Sequence, residues 1–162
     1  MKAALLDTSF LISLSNPDRA QHPVALRYFK EMLVRGTVMH LSTIVIAEYE
    51  VRQRITDLGL QNFIVQPFNI DHGIAAASLF MPFRQAHAAG YDRVAIKDDT
   101  KLLAQCELLG IGHYVTGDSK CCANIESLKK ALPGRALPFG VSCDLPYDDA
   151  WFNAGNQAGL GY

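Results

Sequence analysis

Leu5-Leu6-Asp7-Thr8-Ser9-Phe10-Leu11-Ile12 decides the reading of the chain. Ala3 to Leu6 is a short continuous apolar run, as expected of a strand buried on both faces, and Asp7-Thr8-Ser9 closes it. Thr8 or Ser9 is placed to cap a helix beginning at Phe10. A strand that runs directly into an acidic, hydroxyl-rich turn and then a helix is the opening unit of an α/β domain.

The same alternation continues downstream. Val24 to Val34 has helical spacing and ends at Gly36, Thr37 to Leu41 reads as a second strand, and Ser42-Thr43 is another capping signal. From Ile44 the pattern predicts a helix to about Leu58, stopped by Gly59. Phe63-Ile64-Val65 reads as a third strand. Helices follow from Asp71 to Ala89, with Pro82 as a kink site, and from Asp98 to Leu109. His113-Tyr114-Val115-Thr116 is a further strand, and a helix runs from about Ser119 to Ala131. The architecture expected is three-layer α/β, with a central mostly parallel sheet flanked by helices.

Composition excludes several other classes. The chain has 162 residues, 15 Lys plus Arg against 16 Asp plus Glu, a formal charge of −1 and 49% hydrophobic residues. Neither a disordered chain nor a polycation fits, so nucleic-acid binding would require a local patch. The four cysteines, Cys106, Cys121, Cys122 and Cys143, contain no C-x-x-C and are read as reduced thiols. Without a signal-like or membrane-spanning apolar run, the cytoplasm is the expected compartment and no membrane partner is expected.

Residues 133–162 hold three of the seven prolines, five of the twelve glycines and one basic residue, Arg135. The expected organisation is a domain over 1–132 and an irregular C-terminal extension over 133–162. The aromatics of that extension, among them Tyr147, Trp151 and Phe152, suit docking on the domain or on a neighbouring subunit; a frayed tail is the alternative.

The acids carry the chemistry. Asp7 and Asp118 each follow a strand and Asp98-Asp99 open a helix, which in a parallel sheet places them at the carboxyl edge where ligands bind. Glu48 stands in the apolar stripe of its helix, with Ile44, Val45, Val51 and Ile55 at i−4, i−3, i+3 and i+7, so its carboxylate needs a positive partner. Each acid also has a structural reading. Asp7 and Asp118 are suited to caps or turns, one of Asp98 and Asp99 to a cap, and Glu48 to a pair with Arg52 at i+4. Clustered carboxylates repel unless a dication neutralises them, and oxygen-only ligands favour Mg²⁺ or Mn²⁺. Metal-activated water attacking a phosphodiester is the chemistry such a cluster suits.

These segments resemble the PIN domain, a metal-dependent nuclease fold that includes VapC-like toxins. The likeness spans about Ala3 to Leu132 and rests on Leu5 to Ile12, Ser42 to Tyr49, Lys97 to Ala104 and Tyr114 to Asp118. It implies an RNA substrate, Asp7, Asp99 and Asp118 as ligands of Mg²⁺ or Mn²⁺, and Glu48 completing the shell or orienting the nucleophile. Ser9 and Thr116 match hydroxyl positions that assist the site. Asp99 aligns better than Asp98, since Leu103 and Cys106 lie at i+4 and i+7 from it. The resemblance further implies a homodimer and a cognate antitoxin whose segment occupies the active-site groove.

Lys97, Lys101, Lys120, Arg52 and Arg54 flank the acidic motifs as candidate phosphate contacts. The five histidines lack zinc-site spacing, and the nucleotide-binding glycine motifs are missing. The alternatives are a PIN-like module that binds RNA or protein without cutting, and an aspartate-nucleophile phosphatase. The second lacks the acid expected at Ser9.

Overall fold

A computed structural model describes residues 1–86 and 93–153. Five strands form one parallel sheet: β1 (Ala3–Leu6), β2 (Val38–Ser42), β3 (Phe63–Gln66), β4 (His113–Thr116) and β5 (Phe139–Ser142). Their spatial order is β3-β2-β1-β4-β5, with Leu5 opposite His40 on one side and Tyr114 on the other. The helices α1 (Thr8–Ser15), α2 (His22–Val34), α3 (Thr43–Glu50), α4 (Ile70–Ala86), α5 (Arg93–Leu109) and α6 (Ser119–Ala131) flank it, giving the three-layer α/β architecture.

The apolar run of β1 fills the centre of the sheet: Ala4, Leu5 and Leu6 are wholly buried beside Leu41, Val115 and Val141. Helix side chains complete the core, including Phe10, Tyr28, Met32, Val45, Leu79 and Leu103. The four cysteines are free and buried. From β1 the chain steps outward through β2 to β3, then crosses to β4 and β5 on the opposite side. This reversal makes the carboxyl ends of β1 and β4 a topological switch point, where the loops part and leave a crevice.

Four features differ from the sequence expectations. The first helix begins at Thr8, so Asp7 itself occupies the N-cap position. The helix expected to reach Leu58 stops at Glu50, whose carboxylate accepts the Ile55 amide at 2.6 Å; two short 3-10 turns then lead into β3. Ile55 is therefore buried from a turn, and Val51 is 81% exposed instead of extending an apolar stripe. The fifth helix begins at Arg93, so Asp98 and Asp99 sit in its second turn and neither caps it. Residues 87–89 of the expected fourth helix lie outside the described residues.

The fourth difference lies in the C-terminal stretch expected to be irregular. It contains β5, an edge strand entered from Pro138 and paired with β4 along its whole length. At Gly140 an added Cβ would stand 2.9 Å from the Cys122 Cα, so only glycine lets β5 lie this close to α6. Beyond it the chain docks on its own α2. The Tyr147 ring lies 4.8 Å from Tyr28 and 3.9 Å from the Arg27 guanidinium, and the Asp148 amide donates to the Tyr28 hydroxyl at 3.1 Å. Among the described residues no helix is long and apolar enough to cross a membrane.

Candidate active site

Asp7 leaves β1 in an extended conformation and caps α1 by position only, because its side chain accepts no backbone amide of the helix. Its Oδ2 instead accepts protons from Ser9 Oγ and from Thr116 Oγ1, the latter at 2.8 Å. The two hydroxyls lie 2.9 Å apart across the β1–β4 seam. Ser9 Oγ also accepts the Gly117 amide at 2.8 Å, and Thr116 Oγ1 accepts the Asp118 amide at 3.1 Å. A Cβ at Gly117 would meet the Ser9 carbonyl at 3.0 Å, so glycine allows the turn after β4 to close against α1. Asp118 caps α6, with Oδ1 accepting the Lys120 amide at 2.8 Å.

Glu48 approaches from α3 and is half-buried. Its carboxylate accepts the hydroxyl proton of Thr8, the residue after Asp7. Burial pushes the Glu48 carboxyl above the usual glutamate value; the Thr8 hydrogen bond opposes this, the charges of Asp7 and Asp98 add to it, and Lys101 works against it. Lys101 Nζ lies 2.7 Å from Asp98 Oδ1. Asp99 faces a different neighbourhood. With burial as the leading cause, its charge and that of Asp7 hold the Tyr114 phenol and the Cys121 thiol well above their usual values, and Asp118 also acts on Cys121.

Asp7, Glu48, Asp98, Asp99 and Asp118 are thus within electrostatic reach of one another or of shared neighbours at one sheet edge. Among the described residues, no three His, Cys, Asp or Glu side chains converge closely enough to form a ready-made metal cage. The donors are nonetheless all hard oxygens. Mg²⁺ and Mn²⁺ suit such sites, with Mg²⁺ keeping several waters and attaching through one or two carboxylates.

Of the basic residues singled out in the sequence, Lys97 and Lys120 are exposed and Lys101 is paired to Asp98. Arg52 and Arg54 line a separate cavity of about 660 Å³ with Leu14, Tyr49 and Phe63, past the end of α3. Among the described residues Glu48 makes no ion pair with Arg52. Sequence reasoning placed Thr8 as a cap and missed its bond to Glu48. It also missed Asp144, whose carboxylate accepts from Gln21 Nε2 at 2.9 Å and from the Ser119 amide at 3.1 Å, latching the start of α6. The only signal for Asp144 was an acid two residues after an edge strand, and that strand was not recognised.

No family model and no curated protein matches the chain. Solved structures do. The chain is similar to FitAB bound to a DNA fragment, with a TM-score of 0.62, 13% identity, and 90% of this chain and 99% of that one covered. It is similar to VapC20 of Mycobacterium tuberculosis, a toxin that cleaves the sarcin–ricin loop, with a TM-score of 0.54, 19% identity, and 74% and 93% covered. A toxin–antitoxin complex from Klebsiella pneumoniae matches with a TM-score of 0.50, 20% identity, and 76% and 93% covered. With the acid-lined switch point of a five-stranded parallel sheet, these likenesses give the chain the fold of the VapC-like PIN-domain toxins.

Proposed function

We propose that the chain is a metal-dependent ribonuclease that hydrolyses RNA phosphodiester bonds, and that it acts as the toxin of a toxin–antitoxin pair. The observation that carries this reading is the Asp7 carboxylate, which accepts no amide of its helix and is held instead by the Ser9 and Thr116 hydroxyls at the switch point, with Asp99, Asp118 and Glu48 around it. A carboxylate that merely capped the helix would accept an amide of α1.

Asp7, Asp99 and Asp118 would hold Mg²⁺ or Mn²⁺. Bound there, the ion would supply an acidified water and charge neutralisation at the phosphate. Ser9 and Thr116 fix the Asp7 oxygen. Glu48, held by Thr8, would orient the attacking water. Lys97 and Lys120 offset the negative edge for a polyanionic substrate.

Two partners belong to the same proposal. The likeness to a toxin–antitoxin complex supports a cognate antitoxin covering the site. A homodimer is supported by the apolar stripe of Ile70, Ile74 and Met81 exposed on α4.

The test is cleavage of short RNAs by the purified protein with Mg²⁺ or Mn²⁺, with EDTA and the Asp7→Asn variant as controls. Metal-dependent products that vanish in both controls are expected. RNA that is bound but left intact with either metal would make the chain a non-cutting RNA-binding module.

A further inference from the structure

Between α4 and α5, on the same edge as the acids, lies a cavity of about 390 Å³ that the acids do not use. Its lining is mostly apolar, from Phe68, Gly73, Ala77 and Phe80, joined by Thr100 and by Lys97 and Lys101, and the His72 ring packs beside Phe68 with centroids 5.7 Å apart. Two contacts tie it to the acidic centre. Phe68, two residues past β3, donates its amide to Thr43 Oγ1 at 3.1 Å, and Thr43 begins the helix that carries Glu48. Lys101 belongs both to the cavity and to the ion pair with Asp98, and its charge reaches Glu48. Gly73 leaves the Phe68 ring uncovered on its side: the nearest ring carbon is 3.9 Å from where a Cβ would stand, so a larger side chain would rest on the ring.

Flat aromatic surface, small neighbours and a lysine beside the acidic edge match one occupant, an unpaired nucleobase with its phosphate. A base offers a π-face for Phe68, and its phosphate offers the counter-charge for Lys97. Bases within a duplex are stacked on one another and cannot enter. We propose that the cavity is a nucleobase subsite, which takes one unpaired base flanking the scissile bond. This inference rests on the ribonuclease reading above.

Short single-stranded RNAs carrying one abasic position, scanned on both sides of the cut, test it against the wild type, Phe68→Leu and Phe68→Trp. Phe68→Leu keeps apolar bulk but loses stacking, and its KM is expected to rise roughly five- to hundredfold with kcat less affected. Phe68→Trp restores it. In the wild type one abasic position reproduces the same loss, and that abasic position adds nothing further in Phe68→Leu. Equal cleavage by Phe68→Leu, or a loss independent of abasic position, overturns the subsite. Fluorescence anisotropy of the same RNAs in EDTA separates the two readings. An abasic effect on binding without any cleavage keeps the subsite and removes the hydrolase. A change in oligomeric state in Phe68→Leu with RNA affinity intact assigns the cavity to a protein partner and overturns the proposal.

Discussion

Asp7 and Asp118 stand at the ends of two neighbouring central strands, and the parallel register of β1 and β4 places them before any side chain is considered. Glu48 and Asp98 are carried on helices, and each is tied by one side-chain contact, Glu48 to Thr8 beside Asp7 and Asp98 to Lys101 on its own helix. In the strand half, four hydrogen bonds through Ser9 and Thr116 leave one geometry for Asp7 and for the start of α6. The helix half depends on half-buried side chains: burial chiefly raises the Glu48 carboxyl, with smaller opposing contributions from Thr8 and Lys101 and adding ones from Asp7 and Asp98. If these acids form the site, one of its walls is cross-linked by hydrogen bonds and would be the rigid one, and the other, held by single contacts, the adaptable one. Preorganised charge belongs on the rigid wall, because only there does holding it require no rearrangement when substrate arrives.

Substitutions can break or sharpen this contrast. The largest effect is expected at Asp7→Asn, which keeps shape but removes charge: kcat on RNA should fall by about 10²-fold or more, with the melting temperature little changed. A small loss would remove Asp7 from the centre. Asp99→Asn should cost on the order of 10²-fold and Asp98→Asn less than about tenfold, because Asp99 shares the Tyr114 and Cys121 neighbourhood with Asp7 whereas Asp98 is tied to Lys101. The reverse ranking, read from single-turnover rates, would move the essential acid to the adaptable wall.

Thr116→Val tests the rigid wall directly. It removes the donor to Asp7 and strips the acceptor from the Asp118 amide, so unfolding in urea should show a loss of about 1–3 kcal/mol, together with lower activity. Thr8→Val removes one bond on the other wall and should cost less.

The smallest effect is a pH dependence. Burial raises the Glu48 carboxyl in the folded protein, so the folded state holds this proton more tightly than the unfolded chain. The favourable contribution is complete below the ordinary glutamate value and is lost as pH climbs through the raised one. Glu48→Gln, which cannot ionise, should therefore melt on the order of 2 °C higher than wild type at neutral pH, with the difference gone in acid. Melting curves at several pH values without divalent metal would show this, and an unchanged difference across pH would contradict it.

Much of this was legible from local pattern. The strands β1, β2 and β4 and the helix α6 match their apolar runs and capping residues, and the acids that follow β1 and β4 were placed by the same signals. Three features were not legible. The end of α3 depends on the Glu50 carboxylate reaching Ile55, a contact that apolar spacing does not reveal. The early start of α5 moved Asp98 and Asp99 from a cap into a second turn. The strand β5 has four residues, a glycine and a proline before it, so it carries no alternation to read; its partner β4 and the close face of α6 define it.

Residue order was enough to mark the parallel α/β class and the acids at its strand ends, because apolar runs, caps and breakers act over a few neighbouring residues. Which groups hold those acids was settled only by folding. Ser9 meets Thr116 across 107 residues, and Thr8 meets Glu48 across 40, because the order β3-β2-β1-β4-β5 sets β1 between two strands distant in the chain. Hydrogen bonds form between groups that are near in space, and the sheet alone brings these together.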